Sequence, residues 1–427
     1  MELWRETRII DIGEVVTGTT PTTSQNDFYG GPYKLISPAD LDAQKYVSTS
    51  HRTLTQKGLE QCRPLPKNAV LVGCIGNIGK IAMTHDEVSA TNQQINAIIC
   101  NKSHDPDFVY YCLMFNRSRL EAAAVKTTVP ILNKRNFQNC VIAAPQLAEQ
   151  RKIAAVLSLV QRAIAQQERL IQLTNELKKA LMHKLFTEGT RGEPQKQTEI
   201  GPIPQSWQVR PLSDLSKSFQ YGSSVKCEYA AQGQPFLRIP NVIDGRIDIS
   251  ELKFGRPKST EIGNLELEYE DLVFVRTNGV KENAGRCAVY RNELEGPCYY
   301  ASYLIRVRVR RDRLVAAFLD EYSRTMRGMS FLSGRSIRTA DGKFNINIHT
   351  LRSMLLPLPC IAEQQNITET ALLVNRNQTL QFARHHSLSQ LFRTLLHQLM
   401  TVQIRVDDLD LRELGVEVGG VEREEAV

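Results

Sequence analysis

The 427-residue chain has no apolar run approaching the ~20 residues of a membrane span, and its start, MELWRETRII, holds no apolar stretch of signal-peptide length. A cytoplasmic protein with no membrane partner is the expectation. The nine cysteines stand singly, with no C-x-x-C pair and no His at ligand spacing, so they read as small buried hydrophobes and no metal site is expected. Catalytic signatures are missing as well. There is no Asp/Asn-Pro-Pro-Tyr/Phe adenine-methylating motif, no Gly-rich cofactor loop after a strand, no G-x-S-x-G elbow and no H-E-x-x-H. Gly73-x-x-Gly76-x-x-Gly79-Lys80 comes nearest, but a phosphate loop needs glycine at Cys74 and Ser or Thr at Ile81. An RNA-binding Gly-x-x-Gly clamp would need a helix next, whereas Lys80 to Thr84 reads as strand. His385-His386 falls mid-helix, where a solvated or seam role outweighs metal binding. The chain is expected to be no enzyme and to carry no cofactor. With 42% hydrophobic and 23% charged residues, the composition excludes collagen, a disordered tail protein and a small disulfide scaffold.

What is present is a repeat. Residues 145–189 begin PQLAEQRKIAAVLSLVQ and, 214 positions later without a gap, residues 359–403 begin PCIAEQQNITETALLVN. Pro145 falls on Pro359, Ala148-Glu149-Gln150 on Ala362-Glu363-Gln364, and Leu181-Met182-His183 on Leu395-Leu396-His397. Neither copy has Pro or Gly in its interior after its opening Pro, so both read as long helices. A heptad seam runs through Ile153, Leu157, Val160, Ile164, Gln167, Ile171, Leu181 and Leu185 in the first. The same frame gives Ile367, Ala371, Val374, Gln381, Leu388, Phe392, Leu395 and Leu399 in the second. Antiparallel pairing of the two would bring their polar middles together, with Gln167 and Gln381 placed to hydrogen-bond and fix register. A helix of ~41 residues spans about 60 Å, longer than one domain covers, so it should act as a spacer.

The segments ahead of the helices correspond more loosely: Trp4, Asp11 and Gly18 answer Trp207, Asp214 and Gly222, and LPKNAVLVG (65–73) answers LEYEDLVFV (267–275). Short β-branched runs broken by Gly, Asn and Pro make each a mixed α/β globule. The expected fold is α+β with a pseudo-two-fold internal repeat. Globule 1–143, helix 144–188, Gly/Pro-rich linker 189–205, globule 206–357, helix 358–406 and acidic tail 407–427 are its parts, the helices pairing as an antiparallel coiled coil.

Charge placement points to a partner. The formal net charge is +7, yet the tail alone carries eight acids against two bases, so the body is strongly basic, most of all over 206–357. Lys and Arg that displace counterions from phosphate supply much of the affinity for nucleic acid. Strand alternation in Ile305-Arg306-Val307-Arg308-Val309-Arg310 would set three arginines on one face. SGRSIRTADGKF (333–344) adds Arg335, Arg338 and Lys343 in a loop able to follow a DNA backbone. Forked and amide donors on loops pair bidentately with purine edges. The candidates for base reading are Lys34, Asn77, Lys80 and Gln94 in the first globule. In the second they are Lys226, Arg238, Asn241, Arg276, Asn278, Lys281 and Arg286.

Thr198-Glu-Ile-Gly-Pro-Ile-Pro-Gln-Ser-Trp207-Gln-Val209 resembles the segment that opens the second target-recognition domain of type I restriction–modification specificity subunits (HsdS). Gly76-Asn-Ile-Gly-Lys-Ile-Ala82, Pro145-x-x-Ala-Glu-Gln150-x-x-Ile153 and Leu181-Met-His-Lys-Leu-Phe186 are similar to other recurrent stretches of that family. The likeness covers residues 1 to about 406; it departs where the second globule has Asn278 to Arg286 in place of the short Gly-x-x-Gly-Lys loop. The resemblance implies a non-catalytic reader of double-stranded DNA, each globule taking one half of an asymmetric bipartite target. It implies assembly with two modification (methyltransferase) subunits and with ATP-dependent restriction subunits, on which S-adenosylmethionine, ATP and Mg would sit. The alternative from a different class is a stand-alone DNA-binding regulator, or an adaptor of another defence system, built on the same repeat.

Overall fold

The computed structural model describes residues 4–41, 44–125, 128–229, 232–243 and 245–409, so the acidic tail from 410 onward lies outside the described residues. The chain divides into two units, residues 1–170 with 382–427, and residues 171–381. Each is a mixed α/β globule completed by parts of both long helices, Leu147–Glu188 and Ile361–Met400.

The first unit is built on a five-stranded sheet in the order Gly13–Thr17, Ile95–Cys100, Val70–Gly73, Ile81–Thr84, Tyr46–Val47, antiparallel except at the last pair. Val70 to Gly73 and Ile81 to Thr84 are buried throughout, as their unbroken apolar runs require. A smaller four-stranded sheet carries Tyr29–Ile36 at its centre. The second unit repeats the plan: Ser216–Tyr221, Leu304–Val309, Leu272–Val275 and Cys287–Val289 form its main sheet in the same order. Arg5–Arg8 pairs antiparallel with Val141–Ala144 just ahead of the first long helix, and Gln208–Pro211 pairs with Leu355–Leu358 ahead of the second.

The duplicated Ala-Glu-Gln motif is the joint between globule and helix. Gln150 accepts the backbone N–H of Asp105 at 2.9 Å and donates to the carbonyl of Pro145 at 2.8 Å. Asp105 in turn caps Pro106–Phe115, the globule's main helix. Gln364 does the same in the second unit, accepting from Val315 N at 2.8 Å and donating to Pro359 O at 3.0 Å, where Val315 holds the N-cap position of Ala316–Ser323 without a side-chain cap of its own. Each preceding glutamate takes a tryptophan: Trp4 reaches Glu149 at 3.4 Å and Trp207 reaches Glu363 at 3.1 Å. Burial backs these polar joints. Ile153, Val156 and Leu157 share one core with Phe108, Leu399 and Val406, while Phe186, Trp207, Ile367 and Ala371 share another with Phe318 and Leu319. Each such side chain is worth about 1.5–3 kcal/mol when fully buried.

Within each unit the two helices run antiparallel. None of the seam residues named from the sequence is exposed; Ile153, Leu157, Val160, Gln167, Leu185, Ile367, Ala371 and Leu399 are buried and the others partly so. Polar contacts across the seam include His385 with Glu168 at 3.1 Å in the first unit and Gln378 to Asn175 at 2.6 Å in the second. The paired helices are a coiled coil, and the fold is α+β. Residues 189–205 are not a free tether. Gln195–Thr198 and Gly201–Pro204 form a hairpin, Ile203 is fully buried, Arg327 holds the Pro202 carbonyl, and Gln195 donates to Thr187 O. Gly and Pro here shape a turn, with Gly201 at φ +95°, rather than conferring freedom.

Candidate nucleic-acid interface

In the first globule, strand Val70–Gly73 runs into the loop carrying Asn77 and Lys80. Gly73 N–H donates to Lys80 O at 2.8 Å and Gly79 N–H returns to Gly73 O at 3.1 Å, closing the loop. Gly79 holds φ +79°, and a Cβ there would sit 2.7 Å from Arg117. The second globule closes its loop the same way: Val275 N–H donates to Arg286 O at 2.7 Å and Gly285 N–H to Val275 O at 2.9 Å, with Gly285 at φ +91°. Asn77-Ile78-Gly79-Lys80 therefore corresponds to Asn283-Ala284-Gly285-Arg286, and the second loop is a longer version of the first rather than a different device. The flanks agree too, since Cys74 N–H donates to Gln94 O and Arg276 N–H to Tyr303 O, both at 2.8 Å.

The structure sorts the residues singled out from the sequence. Asn77 is exposed; Lys80 is half-buried, with its amine 3.2 Å from the Pro38 carbonyl; Gln94 accepts from Asn92 at 3.2 Å. Lys34 lies on Tyr29–Ile36 in an ion pair with Asp86, whose carboxyl that contact holds below its ordinary pKa. In the second globule Asn278 and Arg338 lie on one small sheet, Thr277–Asn278, Phe344–Asn345 and Ile337–Arg338, and Arg276 and Lys343 immediately precede two of its strands. Arg276 stacks 4.8 Å over Tyr221, and Lys343 pairs with Asp341 at 2.8 Å. Arg335 lies 4.3 Å over Phe331, and Arg286 is bonded to Asn283. Lys281 and Arg338 are exposed and, among the described residues, form no side-chain hydrogen bond or ion pair. Lys226 pairs with Glu228 at 2.9 Å on another part of the unit, and Arg238 with Lys253 flanks the exposed Tyr229 ring.

Two expectations change. Asn241 is 2% exposed; its oxygen accepts Arg238 N–H at 2.8 Å and its amide donates to the Asp248 and Glu251 carbonyls, so it pins a loop and has no edge to offer a base. The arginine strand alternates as expected, but Arg306 and Arg308 face inward and only Arg310, just past its end, is exposed. Arg306 is 4% exposed and bonds the Asn264 and Glu266 carbonyls at 3.0 Å, while Arg308 forks onto buried Asp271 at 2.8 Å. Those arginines hold a loop against the sheet. Sequence reasoning passed over Asn283, Tyr303 and His51. Aligning the closing glycines of the two loops, Gly79 and Gly285, would have found Asn283; Tyr303, 55% exposed at the position of Gln94, has no such marker.

Both globules thus present an amide- and cation-tipped loop on the same α/β scaffold, and groups of this kind suit contacts with nucleic acid. Residues 1–176 match the family described as type I restriction modification DNA specificity domain. The chain is 24% identical over 421 residues to the MjaVIII specificity subunit of Methanocaldococcus jannaschii, covering 96% of this chain and 95% of that one. It is 24% identical over 260 residues to the EcoKI specificity subunit of Escherichia coli, covering 59% of this chain and 54% of the relative. Among solved structures, the S subunit from M. genitalium matches with a TM-score of 0.59 at 16% identity, over 92% of this chain and 95% of the other. A chain from work on complex assembly and conformational transition of the type I R-M system matches at 0.56 and 16% identity, over 94% and 98%. Over residues 1–176 the chain is thus similar to a type I restriction modification DNA specificity domain, and along nearly its whole length to a protein named as a type I restriction enzyme specificity subunit.

Proposed function

We propose that the two globules each read one half of a bipartite duplex target, and that the paired helices set the spacing between the halves. The observation that carries this is the duplicated loop: one closing geometry, tipped by Asn77 and Lys80 in one globule and by Asn283 and Arg286 in the other. The same frame with different tips fits an asymmetric site. Arg335, Arg338 and Lys343 suit phosphate contacts that position without reading sequence, and Lys281 and Arg276 suit base contacts.

The helices supply the second half of the reading. Leu173 and Leu177 on the first, and Leu373 and Leu380 on the second, are 43–69% exposed on faces outside the seam. Such leucines fit burial under partner subunits. We take those partners to be two modification subunits, with restriction subunits joining for cleavage, in the cytoplasm; S-adenosylmethionine, ATP and Mg would reside on them. A stand-alone regulator would leave the leucines uncovered. The test is to express the chain with its modification subunit, map methylated adenines in the host genome, and then delete one heptad from both helices. Seven residues at ~1.5 Å remove about 10 Å, or roughly three base pairs at ~3.4 Å each. An unchanged spacer in the methylated sequence would refute the ruler; tight specific binding by the chain alone would favour the regulator.

A further inference from the structure

The turn at Ser37 to Asp40 corresponds to that at Arg238 to Asn241. In each, the fourth residue's side chain accepts the first residue's N–H at 2.8 Å and then ties down the chain about ten residues on. Asn241 does so through the Glu251 carbonyl. Asp40 instead takes both the backbone N–H of His51 at 2.9 Å and its ring Nδ1 at 2.5 Å. The carboxylate is 2% exposed, whereas the imidazole is 78% exposed. That arrangement holds Nδ1 on the carboxylate and leaves Nε2 facing outward. The loop's amine Lys80 rests on Pro38 of the same turn.

His51 stands where two clefts meet. One, of about 380 Å³, is lined by Thr23, Asn26, Gly30, Arg52 and Thr53, with no acid. The other, of about 510 Å³, has Glu168 in its wall. Arg52 is exposed and, among the described residues, its guanidinium has no hydrogen-bond or ion-pair partner. The charged groups around His51 are thus Asp40 behind it, Arg52 on the first side and Glu168, itself bonded to His385, on the second.

We infer that His51 and Arg52 grip a DNA backbone phosphate of the first half-site in the acid-free cleft, with Asp40 as the positioning residue that orients the imidazole. Hydroxyl and amide groups of Thr23, Asn26 and Thr53 complete an anion-binding surface, while Glu168 bars the other cleft to phosphate. This rests on the bipartite reading above.

The experiment uses the chain assembled with its modification subunits and a duplex bearing the site found by methylation mapping, with binding measured across salt at pH 6 and pH 8. For His51→Gln the expected result is a loss of about three- to tenfold in affinity at pH 6 and a smaller loss at pH 8. The slope of log affinity against log salt should fall by about 0.9 at pH 6. Asp40→Asn, which loosens the ring's anchor, should lower affinity at pH 6 by more than its loss of folded protein, read from the unfolding curve, accounts for. Arg52→Gln should cut the salt slope by a similar amount at both pH values. If the wild-type complex binds no bipartite duplex, the functional reading itself is wrong. If it binds and both His51→Gln and His51→Ala match it in affinity, slope and pH profile, this inference is overturned. A changed base preference at one position with an unchanged salt slope also overturns the phosphate assignment.

Discussion

In the second unit, Glu363→Ala removes the acceptor of three donors at once: the Trp207 indole N–H at 3.1 Å and the backbone N–H and hydroxyl of Thr190, both at 2.9 Å. Glu363 is 2% exposed and Trp207 1%, so water cannot replace the lost acceptor at the indole. A buried donor left unpaired costs about 1–3 kcal/mol. The Thr190 hydroxyl can turn to solvent, and removing a buried carboxylate recovers some desolvation, which leaves a net loss of about 2–4 kcal/mol. The first unit supplies the control. Glu149 is half-buried and its contact with Trp4 is 3.4 Å, so Glu149→Ala should cost about 1 kcal/mol or less. The chain has two tryptophans, one in each joint, so urea unfolding followed by indole emission in a Trp4→Phe background reports the second unit alone. A Trp207→Phe background reports the first. If Glu363→Ala lowers the second unit's stability by no more than Glu149→Ala lowers the first, the joint is not the buried, fully paired structure described here.

Arg308→Ala should destabilise the second unit by about 2–4 kcal/mol, because it strands buried Asp271, and should lower DNA affinity only as far as folding falls; a normal fold with weakened binding would return Arg308 to the interface. Arg338→Ala and Lys281→Ala should fold normally, seen by an unchanged melting curve. Arg338→Ala should reduce the salt slope by about 0.9, whereas Lys281→Ala should relax base preference in the mapped methylation sites. Burial lifts the Asp320 carboxyl to about 7 against an ordinary 3.8. Folding therefore takes up a proton between those values, and stability falls as pH rises from 4 towards 7, then levels. Asp320→Asn should flatten that decline, which amounts to no more than about 4 kcal/mol; unfolding free energies at pH 5 and pH 8 that keep the wild-type difference would contradict it.

The helices were legible because their signal is local and repeated: a gapless 45-residue match, no interior Pro or Gly, and a heptad seam. The class of the globules could be read from short β-branched runs. Individual contacts could not, for a physical reason. An arginine on an alternating strand looks the same whether its face meets solvent or a loop; only the fold brings Asn264, Glu266 and Asp271 over Arg306 and Arg308. Asn241 resembled a base reader because a loop amide suits both recognition and loop-pinning, and partners seven and ten residues downstream decided between them. His51 escaped notice because its meaning depends on Asp40, eleven residues earlier. Gly and Pro between 189 and 205 signalled a turn correctly but could not say that Ile203 would be buried beneath it.

The first unit is discontinuous in sequence, and synthesis must reckon with that. Ile153, Leu157 and Phe108 lie in a core that also needs Leu399, Met400 and Val406. The intervening residues 171–381 belong to the other unit. At roughly 5–20 residues per second, about 12–50 s separate the ribosome's making of the first long helix from its making of the segment that covers it. During that interval the second unit, contiguous in sequence, can fold while the first waits with its seam uncovered. Domain order on the chain is thus the reverse of the order in which folding can finish, and a nascent chain arrested before residue 399 should hold a native second unit beside an aggregation-prone first.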